Sequence, residues 1–305
     1  MTETLAEKNA ALFCVRDCEG CGVRATWIVL WINVGMFLLK ALFAMNTHSR
    51  SLSADALESL GDIAITGLVL YSLRIVAKDS DEKHPYGYGK VEFLIATVIN
   101  FLLLTGALVF TGASIYEMFN VGPEKPPSLL AALVAAVSIG GNYIAYRYCK
   151  CAGEKIHSQA VLANGAVNWA DAATSIAVVA AVIAANMGFS SFDYIVGILI
   201  GIWIASVALN GLQSSIRELL DFSPGEQADR IEQLAREVAG VLKVLDVKTR
   251  LVGRKLWVDM EVLVREDQTL GEGLKIAGKI KQAVFRDQSR IANISVRLAT
   301  AGAKG

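Results

Sequence analysis

Long apolar stretches dominate the first two-thirds of the chain and alternate with short polar segments. Each stretch is near or above the ~20 residues that a helix needs to cross a bilayer. A helix satisfies its backbone hydrogen bonds within such a segment, so the pattern predicts an all-α bundle of six transmembrane helices. The predicted spans are 25–45, 53–77, 91–119, 128–149, 159–187 and 192–213.

The pattern changes after Pro224, where charges spread through short amphipathic elements. Helical and β-branched periodicities predict an αββαβ order, with elements at 226–238, 244–251, 256–264, 271–285 and 291–298. This order is that of a small α+β, ferredoxin-like domain, which we expect to be a three-stranded antiparallel sheet backed by two helices. A domain this small is expected to gain stability by pairing with a second chain.

Three parts are therefore predicted: an amino-terminal segment at 1–24, a six-span transmembrane domain at 25–215, and a dimerisation domain at 220–305. The first 24 residues are polar, so no cleavable signal is expected. Positive charge is concentrated in the loops after spans two and four, which predicts that both chain ends are cytoplasmic. The residues that carry this asymmetry are Arg74, Lys78, Lys83, Lys90, Arg147, Lys150 and Lys155, against Arg50 and Lys125 in the opposite loops.

Composition agrees with a membrane protein: 54% of the 305 residues are hydrophobic, and the mean hydropathy is +0.46. The 29 basic and 29 acidic residues cancel, so no strong field indicates a nucleic-acid partner. Neither a nucleophile with a matching base nor a glycine-rich phosphate loop accompanies the spans, which argues against an enzyme. Membrane lipid is the expected environment.

Three acidic residues interrupt the predicted spans: Glu58 and Asp62 in span two and Asp171 in span five. An ionised carboxylate near the bilayer centre costs roughly 2.5 to 3.5 kcal/mol, so such residues indicate function. A spacing of four places the first two on one helix face, and Asp171 can add a ligand from a facing helix. Oxygen ligands suit divalent ions such as Mn²⁺ and Fe²⁺. For Glu58, stabilisation of its helix amino end is an alternative role.

Two further features have open interpretations. Lys40, near the end of span one, is expected to extend its ammonium to the membrane surface. Cys14, Cys18 and Cys21 form a C-x-x-x-C-x-x-C pattern on the predicted cytoplasmic side, where thiols stay reduced. This pattern either holds a soft metal or is incidental.

Several motifs resemble those of the cation diffusion facilitators, a family of proton-coupled divalent metal transporters. Residues 53–62 (Ser-Ala-Asp-Ala-Leu-Glu-Ser-Leu-Gly-Asp) look like the family's second-helix motif, and 163–171 (Ala-Asn-Gly-Ala-Val-Asn-Trp-Ala-Asp) look like its fifth-helix counterpart. The loop 81–92 is similarly characteristic. The cysteine-bearing amino end, the His-Pro-Tyr-Gly loop and 146–148 are most similar to the magnetosome-membrane iron transporters of the Mam type.

The resemblance implies a homodimer or heterodimer that exports a divalent ion from the cytoplasm in exchange for protons. The ion is expected to be iron(II) or manganese, with zinc as a further candidate, and no other cofactor is expected. The compartment implied is the bacterial inner membrane or the magnetosome membrane. The family's transport site has two ligands four apart on helix two and two more on helix five. Glu58 and Asp62 match the first pair, and Asp171 matches the second member of the other pair.

The remaining ligand position falls on Val167, which cannot bind a metal. Asn164 and Asn168 precede Asp171 by seven and three residues, so either could offer a carbonyl oxygen and give a four-oxygen site. The competing hypothesis is a lapsed site in a chain that acts as a heterodimer partner or as a scaffold of a membrane assembly.

The family's accessory sites are only partly retained. In the loop, Asp81 and His84 match ligand positions, but Tyr88 stands where a second histidine would complete a zinc site. In the carboxyl domain, positions where metal-binding relatives carry histidine fall on Glu261, Lys275 and Arg297. We therefore expect this domain to be a dimerisation module with a reduced role in ion sensing.

Overall fold

A computed structural model describes residues 20–47, 50–120, 129–186, 192–223, 225–287 and 290–300. Of the predictions above, those on Cys14, Cys18, Lys125 and residues 1–19 lie outside the described residues.

Six long helices form the first part of the structure, and each contains most of one predicted span. Their bounds are α1 Cys21–Thr47, α2 Arg50–Val76, α3 Lys90–Asn120, α4 Leu129–Ile156, α5 Gln159–Asn186 and α6 Phe192–Leu219. Within the described residues, α1, α2, α3 and α6 are long and apolar enough to cross a membrane. Helices α4 and α5 are equally long, at 28 residues each. The prediction of a helical membrane bundle is confirmed.

The bundle core lies where α1, α2, α4 and α5 meet α3. Val29, Val69, Ile99 and Val161 are buried within one continuous apolar cluster there. Helices α4 and α5 pack closely: a methyl group added at Gly165 would meet Cys149 at 3.0 Å. Small residues such as Gly165 permit this close approach between transmembrane helices.

The second part of the structure contains α7 Gly225–Arg236, β1 Lys243–Val252, β2 Lys255–Leu263, α8 Leu270–Asp287 and β3 Ile291–Ala299. The predicted αββαβ order is confirmed, and the sheet order is β1-β2-β3. Strands β1 and β2 pair antiparallel, but β2 and β3 pair parallel. The expectation of a fully antiparallel sheet was wrong because α8 carries the chain back across the sheet, so β3 runs in the direction of β2.

The carboxyl-terminal domain has its own apolar core. Ile231 from α7, Val262 from β2 and Ile280 and Val284 from α8 are fully buried there. Buried side chains alternate along β2, as expected of a strand with one covered face. Residues 79–90, between α2 and α3, group with this domain and not with the helical bundle.

Candidate metal centre

Helix α2 places Glu58 and Asp62 one turn apart, with Gly61 beside them. Asp62 is only 8% exposed, whereas Glu58 is exposed. The helix runs unbroken through this stretch, so the spacing of four keeps both carboxylates on one face. The structure thus gives α2 one buried acid and one accessible acid.

Asp171 on α5 faces Asp62. The two carboxyl groups lie within hydrogen-bonding reach of each other, and Glu58 interacts electrostatically with both. The backbone carbonyl of Asp171 accepts hydrogen bonds from Ser175 at 2.8 Å and Thr174 at 3.0 Å, both on its own helix. The structure thus brings Asp62 on α2 and Asp171 on α5 together, while their role as metal ligands stays a prediction.

All three acids line one cavity of about 290 Å³ inside the helical bundle. Its walls come from α2, α3, α5 and α6, and its lining is mostly apolar. Val167 is part of this lining and is itself 6% exposed. A small polar cluster at the side of an apolar cavity is the usual arrangement of a binding site.

The acids are not equally close to one another. Among the described residues, no three His, Cys, Asp or Glu side chains are grouped tightly enough to hold one metal ion. Asp62 and Asp171 form the close pair, and Glu58 lines the same cavity one turn further along α2. An ion held by all three requires the Glu58 side chain to move toward the pair.

The two asparagines expected to add carbonyl ligands belong to a buried network beside this pair. The Thr66 hydroxyl accepts a hydrogen bond from Asn33 at 3.2 Å and donates to Asn164 Oδ1 at 3.3 Å. Asn164 also donates to Cys149 Sγ at 3.7 Å. Asn168 donates to the backbone carbonyl of Asn164 at 2.8 Å.

In this network the side-chain oxygens of the two asparagines are not equally available to a metal ion. Asn164 already uses its side-chain oxygen to join α5 to α2. The buried Oδ1 of Asn168 accepts no hydrogen bond from the residues the structure describes, so it still has a lone pair to offer. Metal binding by either residue stays a prediction.

Sequence reasoning missed the position of Lys40. Its side chain is 6% exposed and does not extend to the surface of the bundle. It interacts electrostatically with Asp62 and Asp171. The spacing of seven from Asn33, another polar residue in span one, is the signal that both face the same neighbouring helix.

The loop residues Asp81 and His84 do lie together, but in a tight turn. Asp81 Oδ1 accepts hydrogen bonds from the backbone amides of Lys83 at 3.0 Å and His84 at 2.6 Å. It lies 3.1 Å from His84 Nδ1. The Tyr88 hydroxyl donates to Oδ2 at 2.6 Å. A metal ion would have to displace these donors, and its binding here stays a prediction.

The same contacts control the ionisation of the turn. The Tyr88 hydroxyl, followed by the His84 amide, lowers the pKa of Asp81 to about 2, and the contact raises the pKa of Tyr88. Since the folded pKa lies below the usual value near 3.9, ionised Asp81 stabilises the turn at neutral pH. This stabilisation is lost as the pH falls from about 4 toward 2.

In the carboxyl domain, Glu261 and Arg297 are direct neighbours in the parallel register of β2 and β3, where opposite charges attract. Elsewhere, Cys21 and Cys149 are free thiols.

Comparisons with known proteins cover both parts of the chain. The family "Cation efflux transmembrane domain" matches residues 26–220, and "Cation efflux protein, cytoplasmic domain" matches residues 223–297. The magnetosome protein MamB of Magnetospira sp. is 29% identical over 92% of this chain and 95% of its own length. The manganese efflux system protein MneS of Bacillus subtilis is 30% identical over 82% of this chain and 86% of its own length. A solved MamM CTD structure covers 25% of this chain and 93% of its own length, at 28% identity and a TM-score of 0.24.

The family matches span the helical bundle and the αββαβ domain alike, and the helices are those of a multi-pass membrane protein. The chain therefore belongs to the cation efflux family, the cation diffusion facilitators, whose members are membrane transporters and not enzymes.

Proposed function

We propose that this protein exports a divalent metal ion, iron(II) or manganese, from the cytoplasm in exchange for protons. The ion binds to the carboxylates of Asp62 and Asp171, and Glu58, which lines the same cavity, supplies a further ligand. Zinc is a weaker candidate, because the acids offer only hard oxygen ligands. A rocking motion of the helices would open the cavity to either side of the membrane.

The observation that carries this proposal is that the side chains of Asp62 on α2 and Asp171 on α5 line one cavity inside the bundle, within reach of each other. Two acids from different helices that meet beside an apolar cavity do not stabilise the fold more than apolar side chains would. Their arrangement is instead what a dication requires, since it draws two negative oxygens toward one point.

Proton exchange follows from the same geometry. Two carboxyl groups can hydrogen bond to each other only when one of them carries a proton. A metal ion binds the ionised form of its ligands, so loading the site releases that proton. Metal and proton thus compete for the same pair of side chains, which is the basis of an antiporter.

Two relatives support the choice of ion and compartment. MneS is named for manganese efflux, and MamB is named as a magnetosome protein. We place the chain in the bacterial inner membrane or a magnetosome membrane, with both ends in the cytoplasm. We also propose that it works as a dimer, with itself or with a related chain, through the αββαβ domain.

A flux assay tests the function directly. Purified protein in liposomes is given Mn²⁺ or Fe²⁺, and internal metal and pH are followed with fluorescent dyes. We expect metal uptake accompanied by proton movement in the opposite direction, and loss of both in Asp62→Asn and Asp171→Asn. Glu154→Gln, an exposed acid on α4, is the matched control and should transport like the unmodified protein. Normal flux in both aspartate variants would refute the proposal.

Val167 favours a second candidate function, that of a non-transporting partner or scaffold. This apolar side chain occupies the cavity wall one turn before Asp171. If the site has lapsed, the unmodified protein carries no metal and Val167→Asp starts transport, whereas the uncharged Val167→Thr does not. Metal flux by the unmodified protein would exclude this alternative.

A further inference from the structure

A lysine is buried beside the acids of the cavity. Lys40 is only 6% exposed, seven residues before the end of an apolar helix. Burying an ammonium group without an opposite charge costs several kcal/mol, so buried lysines are found where carboxylates compensate them. The position of Lys40 therefore calls for an explanation in terms of a partner charge.

The packing of α1 against α2 shows which residues of α2 lie at the same height as Lys40. Asn33 on α1 donates to Thr66 on α2, and the two helices are successive, separated by two residues, and packed together. Antiparallel helices advance by ~1.5 Å per residue in opposite directions. Seven residues beyond Asn33 is Lys40, and seven residues before Thr66 is Ser59, which is buried.

Lys40 is thus level with the turn of α2 that carries both acids. Ser59 stands between Glu58 and Asp62, so the backbone of Lys40 is within about one turn of each acid along the helix axis. The electrostatic attraction of Lys40 for Asp62 and Asp171 agrees with this register. Helix packing and electrostatics therefore agree on Asp62 as a neighbour of Lys40, and the electrostatics add Asp171 from α5.

We infer that Lys40 is a fixed counter-charge that sets the affinity of the site for a divalent ion. This inference rests on the function proposed above. Three ionised carboxylates and one ammonium carry a net charge of minus two, which a single dication neutralises. Without the lysine, the loaded site would keep a net negative charge inside the membrane.

The ammonium acts on the ion by repulsion. A positive charge beside the carboxylates weakens the binding of a dication, and a transporter must release its ion as well as bind it. Lys40 thereby plays a positioning role, because its charge acts on Asp62 and Asp171 and it is not itself a ligand of the metal. Removing its charge should tighten metal binding and slow release.

The test separates charge from packing. Lys40→Met keeps an unbranched chain of similar length without the charge, and Lys40→Arg keeps the charge. Lys78→Met, which changes an exposed lysine two residues after α2, is the matched control. Binding of Mn²⁺ to the full-length protein in detergent is measured from the resonance signal of free Mn²⁺, and KM and maximal rate are measured in liposomes.

We expect the Kd and KM of Lys40→Met for Mn²⁺ to fall by roughly tenfold, because the change removes the Coulomb repulsion between the ammonium and the ion. Its maximal rate should fall as well, while Lys40→Arg and Lys78→Met keep the unmodified values. A folded Lys40→Met protein with an unchanged Kd would overturn the inference, since a merely structural lysine predicts that result. If Lys40→Met does not fold, Lys40→Gln replaces it in the test. We expect Lys40→Gln to show the same fall in Kd, and an unchanged Kd would overturn the inference.

The two proposals fail in different ways. If the unmodified protein binds Mn²⁺ but moves none, the transport function is refuted and the ratio of Kd values still decides the role of Lys40. If it transports and the charge-removing variants keep its Kd, only the role of Lys40 is refuted. Absence of Mn²⁺ binding in the unmodified and neutral variants alike would overturn both.

Discussion

Asp62 and Asp171 owe their position to neighbours as much as to the helices that carry them. One turn along α2 from Asp62, Thr66 ties α2 to Asn33 on α1 and to Asn164 on α5. All three of these side chains are buried. This hydroxyl therefore holds together the helices that bring the two acids face to face.

Replacing Thr66 with valine should lower stability, because the change removes the hydroxyl and leaves two buried amides without that partner. Interhelical hydrogen bonds in membranes contribute about 1 kcal/mol, so we expect a fall of a few degrees in the unfolding temperature in detergent. Thr97→Val is the matched control, since the Thr97 hydroxyl donates to the backbone carbonyl of Phe93 on its own helix. Equal unfolding temperatures for the two variants would contradict the bridging role.

The acids themselves could be predicted from the sequence, but their surroundings could not. Glu58, Asp62 and Asp171 stand out because a charge in an apolar segment is costly, and that cost can be read from composition alone. The burial of Lys40 depends on how α1 is rotated against α2, which a single apolar stretch does not specify. For the same reason the engagement of Asn164 by Thr66 could not be predicted.

At the scale of elements, the loop between α2 and α3 packs on the β1–β2 hairpin. The Tyr86 and Trp257 rings meet edge to face with centroids 5.3 Å apart. The Arg250 guanidinium lies 4.9 Å from the Tyr86 ring and 5.9 Å from the Trp257 ring. Gly89 and Gly253 also cross so closely that a side chain on either would collide with the other backbone. Residues 79–90 thus behave as part of the carboxyl-terminal domain.

Tyr86→Ala should release this loop, because it removes both the ring contact and the surface on which Arg250 stacks. We expect faster hydrogen–deuterium exchange in peptides from residues 79–90 of the full-length protein, measured by mass spectrometry. Lys83→Ala changes an exposed side chain of the same loop and should leave the exchange unaltered. If the two variants exchange alike, the aromatic contact does not hold the loop.

In the carboxyl-terminal domain, the positions of the strands and helices could be predicted from the sequence, but the direction of β3 could not. All three strands and both helices of this domain were predicted close to their observed bounds, since alternation and amphipathic periodicity are local signals. The parallel pairing of β2 with β3 was not, because strand direction depends on where α8 returns the chain. Likewise, no local signal assigned the loop 79–90 to a domain more than a hundred residues away in sequence.

For the whole molecule, the chain divides into a helical bundle and a unit built around the αββαβ domain. The domain core is complete in itself, yet it exposes large apolar side chains, among them Leu270 at 79% and Leu274 at 62%, one turn apart on α8. Apolar groups left exposed on a small domain often mark a surface for a partner. The division into two units and the family match were both within reach of the sequence, as composition changes sharply near Pro224.

We expect the full-length protein in lipid nanodiscs to have the mass of a dimer by mass photometry. The physical reason is that so small a domain gains stability by burying apolar surface between copies. Chains carrying two different tags should copurify when coexpressed. A monomer mass would contradict dimer formation, and a dimer that never contains both tags would contradict assembly of the chain with itself.

The central claim is that Asp62 and Asp171 together hold the transported ion. Anomalous X-ray scattering from crystals grown with Mn²⁺ tests this most directly, because it locates the ion without reference to transport. We predict an anomalous peak between the two carboxylates, with Glu58 turned toward it. A peak elsewhere in the bundle, or none at a Mn²⁺ concentration that saturates binding, would contradict the account.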